Sequence, residues 1–125
     1  MNTISGSILL VDDIDQSVQF YEKLGFKISK NVPHIATTVS LGSFWIELLD
    51  KDKVVTKSYQ QHVSTGIPGK GSFLQMNVSN VDTFYEELIR KNVKVLEKPA
   101  DYPWGHRECI IQDPDGYILC VYSVI

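Results

Sequence analysis

Two cysteines, Cys109 and Cys120, and three histidines are all that these 125 residues contain. A disulfide-stapled small domain needs more cysteines, and His34, His62 and His106 show no paired metal-ligand spacing. The formal charge is −3, so no basic excess exists to meet nucleic-acid phosphates or anionic lipid. No apolar run approaches the ~20 residues of a membrane span, and the start MNTISGSILLVDD lacks the basic opening of a signal peptide. The expectation is a cytoplasmic protein with neither nucleic acid nor membrane as partner.

What is present is an ordinary globular composition, with 43% hydrophobic and 22% charged residues, which argues against disorder. A chain of this size forms one domain and buries ~65–70% of its unfolded surface. The sequence also repeats itself. VDDIDQSVQFYEKLGFKI from Val11 is echoed by VSNVDTFYEELIRKNVKV from Val78, with Val11, Asp15 and Lys27 recurring as Val78, Asp82 and Lys94. Ile14, Gly25 and Ile28 recur in kind as Val81, Asn92 and Val95. Each copy reads as a strand, an Asp or Asn cap, an amphipathic helix, a Gly or Asn stop and a further strand. Two such copies imply two similar modules facing a cleft.

The elements follow from local signals. Residues 4–11 read as a buried strand, and Asp13 with Gln16 forms a capping box for a helix with Ile14, Val18, Tyr21 and Leu24 on its buried stripe. Gly25 is placed as a left-handed stop. Residues 26–32, 35–41 and 44–49 read as strands. The polar stretch 51–70 reads as the connector between modules at about 1–50 and 71–125. The second module starts with strand 72–78 and continues with an Asn80 cap. A helix burying Val81, Phe84, Tyr85, Leu88 and Ile89 follows. Strand 93–96, an irregular loop 99–105 and a hairpin around Asp113-Pro114-Asp115-Gly116 complete it. A three-residue loop there pairs Asp113 with Tyr117 and Ile110 with Cys120, which sends the two cysteines to opposite faces without a disulfide. A two-residue loop would place them opposite each other instead.

Four segments, DIDQSVQFYEKLGF, WIELL, VDTFYEEL and PWGHRECIIQDPDGYIL, carry a resemblance to the vicinal oxygen chelate superfamily of glyoxalases, extradiol dioxygenases and bleomycin resistance proteins. The resemblance implies an α+β fold of two βαβββ modules whose curled mixed sheets form the cleft, and it implies a homodimer. It also implies a divalent-ion site, whose positions fall on Gly6, Glu47, Phe73 and Cys120. Only Glu47 is an ordinary ligand for such an ion, so the expectation is no metal and no other cofactor. PWGHRE is similar to a stretch in the bleomycin resistance proteins, the branch that works without metal, with His106 as an extra residue.

Strand alternation then sorts the residues that would line the cleft. Trp45, Phe73, Trp104 and Tyr122 would stack on a planar ligand. Glu47 and Glu108 would pair with a cation, and Arg107 or His106 would meet an anion. Gln75, Ile110 and Cys120 complete the lining. The plainer reading makes Trp45 and Phe73 packing residues of the cavity, Trp104 an anchor between two chains, and Cys120 an inert buried thiol. The expected function is metal-independent binding of a small aromatic or heteroaromatic molecule, of the antibiotic-resistance kind. The alternative is a superfamily lyase, isomerase or dioxygenase-like enzyme with Glu47 as general base or residual metal ligand.

Overall fold

A computed structural model describes residues 3–64 and 71–125. The chain divides into two compact units, Met1–Pro68 and Gly69–Ile125. The first holds β1 (Gly6–Val11), α1 (Ile14–Lys23), β2 (Lys27–Val32), β3 (Ala36–Leu41), β4 (Phe44–Asp50) and α2 (Lys57–Ser64). The second holds β5 (Phe73–Asn77), α3 (Val81–Arg90), β6 (Lys94–Tyr102), β7 (His106–Gln112) and β8 (Ile118–Val124). The sheet orders are β1-β4-β3-β2 and β5-β8-β7-β6, the same path traced twice. In each sheet the first strand lies parallel to the last and the remaining pairs are antiparallel. The fold is α+β with two four-stranded mixed sheets.

Asp13 and Asn80 both cap their helices through the side-chain oxygen. Asp13 Oδ1 accepts from the Gln16 amide at 3.1 Å, and Asn80 Oδ1 from the Thr83 amide at 3.1 Å. Each bond satisfies an amide that the first helical turn leaves free. Gly25 and Asn92 end the helices in left-handed backbone, with φ of 102° and 59°. Helix α1 buries Val18, Phe20, Tyr21 and Leu24. The Tyr21 ring meets Phe20 and Phe26 edge-on, at centroid distances of 5.0 and 5.4 Å. On the sheet beneath, Val39, Ile46 and Leu48 are fully buried.

Helix α3 packs on β6, β7 and β8 above Ile111, Leu119 and Val121. Its stripe is narrower than the spacing implies. Val81 and Leu88 are buried, Phe84 and Tyr85 are half-buried, and Ile89 is exposed. The hairpin takes the three-residue loop. The Asp113 amide donates to the Tyr117 carbonyl, Gly116 has a φ of 95°, and Ile110 pairs with Cys120. Cys109 pairs with Val121 on the other face, and both cysteines are free.

Two readings of irregular chain need correction. The connector contains helix α2, and its residues 65–70 lie outside the described residues. The stretch expected as a loop over 99–105 is largely strand, because β6 runs on to Tyr102. Its register slips between Val95 and Glu97 and again between Glu97 and Ala100, so Pro99 sits in a bulge on an edge strand. There its missing N–H costs no regular ladder bond.

Candidate ligand-binding site

The face of the second sheet turned away from α3 can be read off in rows. Phe73, Ile118, Gln112 and Lys94 lie side by side, followed by Gln75, Cys120, Ile110 and Glu97. Asn77, Tyr122, Glu108 and Ala100 come next, and His106 with Tyr102 ends the face. This face brings together Phe73, Gln75, Glu108, Ile110, Cys120 and Tyr122, as strand alternation requires. Phe73 is 60% exposed, so its ring is available rather than packed away.

At the far end of that face lies a stripe taken from every second residue: Tyr102, Trp104, His106 and Glu108. The Trp104 indole stacks on Tyr102 at 4.8 Å with 21° between the planes, and the His106 ring stacks on Tyr122 at 4.2 Å and 15°. Tyr102 in turn donates its hydroxyl to Glu97 at 3.2 Å, which raises the phenol's pKa. Glu108 is the centre of this group and is 7% exposed. Its Oε1 accepts the Trp104 indole N–H at 2.7 Å, and His106 Nδ1 lies 3.3 Å away. The Cys120 thiol also hydrogen-bonds to it.

Burial works to raise the Glu108 pKa, and the bonds from Trp104, Cys120 and His106 outweigh it, so the carboxyl sits below its ordinary value. The same contact keeps Cys120 protonated. Burial first, and then the hydrogen bond to Glu108, push the thiol up to about 12. Cys109 is pushed up to about 11 by burial and the Asp82 charge.

Arg107 is corrected. It lies between Glu108 and His106 in sequence and so points to the opposite face. There it grips Asp82 at 2.9 and 3.0 Å and Asp101 at 3.0 Å. Its charge ties the first turn of α3 to β6 and β7, and it does not join Glu108. The hydrogen bond from Arg107 lowers the Asp82 pKa. His106 opens β7, and His62 falls within α2. His34 sits in left-handed backbone, with a φ of 65°. Tyr102 and Glu97 were not singled out from the sequence. The alternation of Tyr102, Trp104, His106 and Glu108 was the available signal, hidden because residues 99–105 read as a loop.

In the first module, Trp45 and Glu47 share the face of β4 turned from α1, with Gly6 and Ile8 beside them on β1 and Ser40 and Thr38 on β3. Trp45 is 48% exposed and Glu47 is half-buried. A separate depression of about 440 Å³ in this module is lined by Asp12, Asp13, His34, Asp50 and Lys53 among others. Three of its four carboxylates are engaged: Asp13 caps α1, Asp12 pairs with Lys51 at 2.6 Å, and Asp50 accepts from the Asp52 amide, while Asp15 is exposed in the first turn of α1.

The four positions where the resemblance places a divalent ion do not fit one. A Cβ at Gly6 would lie 1.8 Å from the Trp45 carbonyl oxygen and 2.6 Å from its ring Cδ1, so β1 meets β4 too closely there for any side chain. Phe73 has no donor atom. Cys120 is a buried, protonated thiol committed to Glu108, whereas metals bind the thiolate. Glu47 alone is a suitable ligand.

The chain matches the family model of the Glyoxalase/Bleomycin resistance protein/Dioxygenase superfamily over residues 3–121. It is 33% identical to the uncharacterized protein YraH of Bacillus subtilis, across 94% of each chain. It is 30% identical to a lactoylglutathione lyase of Oryza sativa subsp. japonica over 88% of its own length, spanning 40% of that protein. Among solved structures it superposes on TnmS3, an antibiotic binding protein from Streptomyces sp. CB03234. The TM-score is 0.78 at 22% identity, covering 100% of this chain and 98% of the other. The duplicated strand path and the matched span together establish that the chain belongs to the glyoxalase/bleomycin resistance protein/dioxygenase superfamily.

Proposed function

We propose that this protein is a metal-independent binder of small planar molecules. One observation carries the reading: the second sheet presents stacked aromatic pairs around a buried carboxylate, on a face that also holds Phe73 and Gln75. Few convergent polar groups among aromatic walls are the usual make-up of a small-molecule site. Trp104 and Tyr122 supply stacking surface and Glu108 supplies orientation and charge. Trp45 and Glu47 offer a similar pair on the first module. No group here needs to exchange bonds with the ligand, so capture and sequestration is the working mechanism, in a protein that acts as a homodimer. TnmS3, which shares this fold, is an antibiotic binding protein, in keeping with small-molecule capture on such a scaffold.

The test is a thermal-shift screen of planar aromatic and heteroaromatic compounds with and without a chelator. A ligand at a hundred times its Kd stabilises by about 2.7 kcal/mol, enough to read clearly. Stabilisation that survives chelation and is lost in Trp104→Ala and Tyr122→Ala is the expected result. Stabilisation abolished by the chelator contradicts it. The likeness to lactoylglutathione lyase favours a second reading, an enzyme with Glu47 as general base. Turnover of lactoylglutathione that disappears in Glu47→Gln would establish that reading instead.

A further inference from the structure

We propose that the first module holds the phosphate monoester of a small molecule whose planar ring lies on Trp45. Lys27 and Lys30 supply the positive charge, and the Ser29–Ser40 hydroxyl pair lies between them. This deepens the binder reading and rests on it for the ring.

Strand alternation alone would send Lys27 and Lys30, at odd separation, to opposite faces of β2. A bulge at Ser29 changes that. Lys27 pairs with Ser40, Ile28 with Val39, and Lys30 with Thr38 rather than Thr37. Ser40 and Thr38 share their face with Trp45 and Glu47, so both lysines join it. Ser29 lies over the same face, with its Oγ 2.7 Å from Ser40 Oγ. It also donates to the Thr38 carbonyl oxygen at 3.3 Å, long for an O–H···O bond, so this hydroxyl can turn to a better acceptor. Asn31 and Thr37, bonded at 3.0 Å, mark the opposite face.

Two adjacent rows result: Trp45, Ser40 and Lys27, then Glu47, Thr38 and Lys30. Both lysines are exposed, and among the described residues neither forms an ion pair. Glu47 is separated from Lys30 by the strand that carries Thr38. The duplicated module supplies a contrast. Its β6 has the same register slip, between Val95 and Glu97, and the positions of Lys27, Ser29 and Lys30 fall on Lys94, Leu96 and Glu97. One bulged frame thus presents two cations around a hydroxyl in the first sheet, and a cation, an apolar side chain and an anion in the second. Lysines that only guard an edge strand have no need to be gathered on one face beside hydroxyls.

A phosphate monoester carries about two negative charges near neutral pH and accepts hydrogen bonds from several directions. Two ammonium groups and a hydroxyl match it, whereas a flat carboxylate suits the planar fork of arginine. Ser40 and Thr38, the partners of the two lysines, lie about 7 Å apart along β3, a gap that flexible lysine stems close over one phosphate. Trp45 stands two strand spacings from Lys27, about 10 Å, which leaves room for a short linker between ring and phosphate. Glu47, on the same strand as Trp45, is an acceptor for N–H groups of the ring.

The experiment titrates the intact protein into riboflavin and into flavin mononucleotide, a planar fluorescent pair that differ only in the phosphate. Quenching of flavin fluorescence reports binding. The mononucleotide should bind at least about tenfold more tightly, the gain from charge-assisted hydrogen bonds, and the preference should shrink between about 0.1 M and about 1 M salt. Lys27→Gln should lower the preference, and Lys30→Glu, which installs the residue of the second module, should abolish it. Both positions are exposed, so the variants keep the fold, and riboflavin affinity should be level across them. Trp45→Ala should weaken both probes. Riboflavin bound as tightly as the mononucleotide overturns the proposal while leaving the planar-ligand reading intact. A preference that survives in both lysine variants overturns it by placing the phosphate elsewhere. Binding of neither probe also overturns it, and the planar-ligand reading is then decided by the thermal-shift screen, which covers the second module as well.

Discussion

Replacing Trp104 with Phe isolates the hydrogen bond that most directly holds Glu108. The substitution keeps a ring against Tyr102 and deletes the indole N–H that lies 2.7 Å from Oε1. A hydrogen bond to a charged group contributes about 1.5–3 kcal/mol. Trp104 is 60% exposed, so water replaces part of what is lost, and the expected cost at neutral pH is about 1–1.5 kcal/mol. For a domain of this size that is a fall in Tm of roughly 3–6 °C. The sign of the pH dependence follows from the carboxyl. Its folded pKa is depressed, so its contribution is present above the unfolded value and is lost as pH falls through the folded one. The gap between native protein and variant should therefore close in acid. Urea denaturation at neutral pH and at about pH 3, below the ordinary glutamate range, measures it. A gap that is absent at neutral pH, or equal at both, would mean that the indole N–H does not hold the ionised carboxylate.

Two further outcomes follow from the same contacts. Gly6→Ala places a Cβ against the Trp45 carbonyl, so β1 and β4 must separate; a loss of at least the ~1–3 kcal/mol of overpacking is expected in urea denaturation, and a neutral change would show the approach to be looser. Cys120 and Cys109, with thiols at about 12 and about 11, should resist a thiol reagent at about pH 8 in the native protein and react fully in urea; rapid native labelling would place a thiolate where none is expected.

Much of the fold was legible because local chemistry decided it. Asp13 and Asn80 cap, Gly25 and Asn92 stop, and Gly116 sets the hairpin register, each through its own backbone or side-chain preference. The register then fixes which side chains share a face, so Phe73, Gln75, Glu108 and Cys120 could be grouped in advance. What escaped depends on distant neighbours. Helix α2 is eight residues long with little apolar periodicity, and helices that short form only in tertiary context. Strand β6 continues through Pro99 only because an edge strand tolerates a bulge. That reading in turn hid Tyr102 and Glu97. Arg107 was assigned to the ligand because its charge is visible in the sequence while its partners, Asp82 and Asp101, are not visibly near it. Ile89 fits the apolar spacing of α3 and still lies at its exposed margin.

Ligand recognition without a metal ion is the central feature of the proposed function. Elemental analysis of the protein after incubation with zinc, nickel, manganese and iron, followed by removal of free ion, tests it most directly. No retained metal near stoichiometry is the expected result. A tightly held ion near one per chain would contradict it, and would give Glu47 and the cysteines or histidines a coordinating role that the geometry at Gly6, Phe73 and Cys120 argues against.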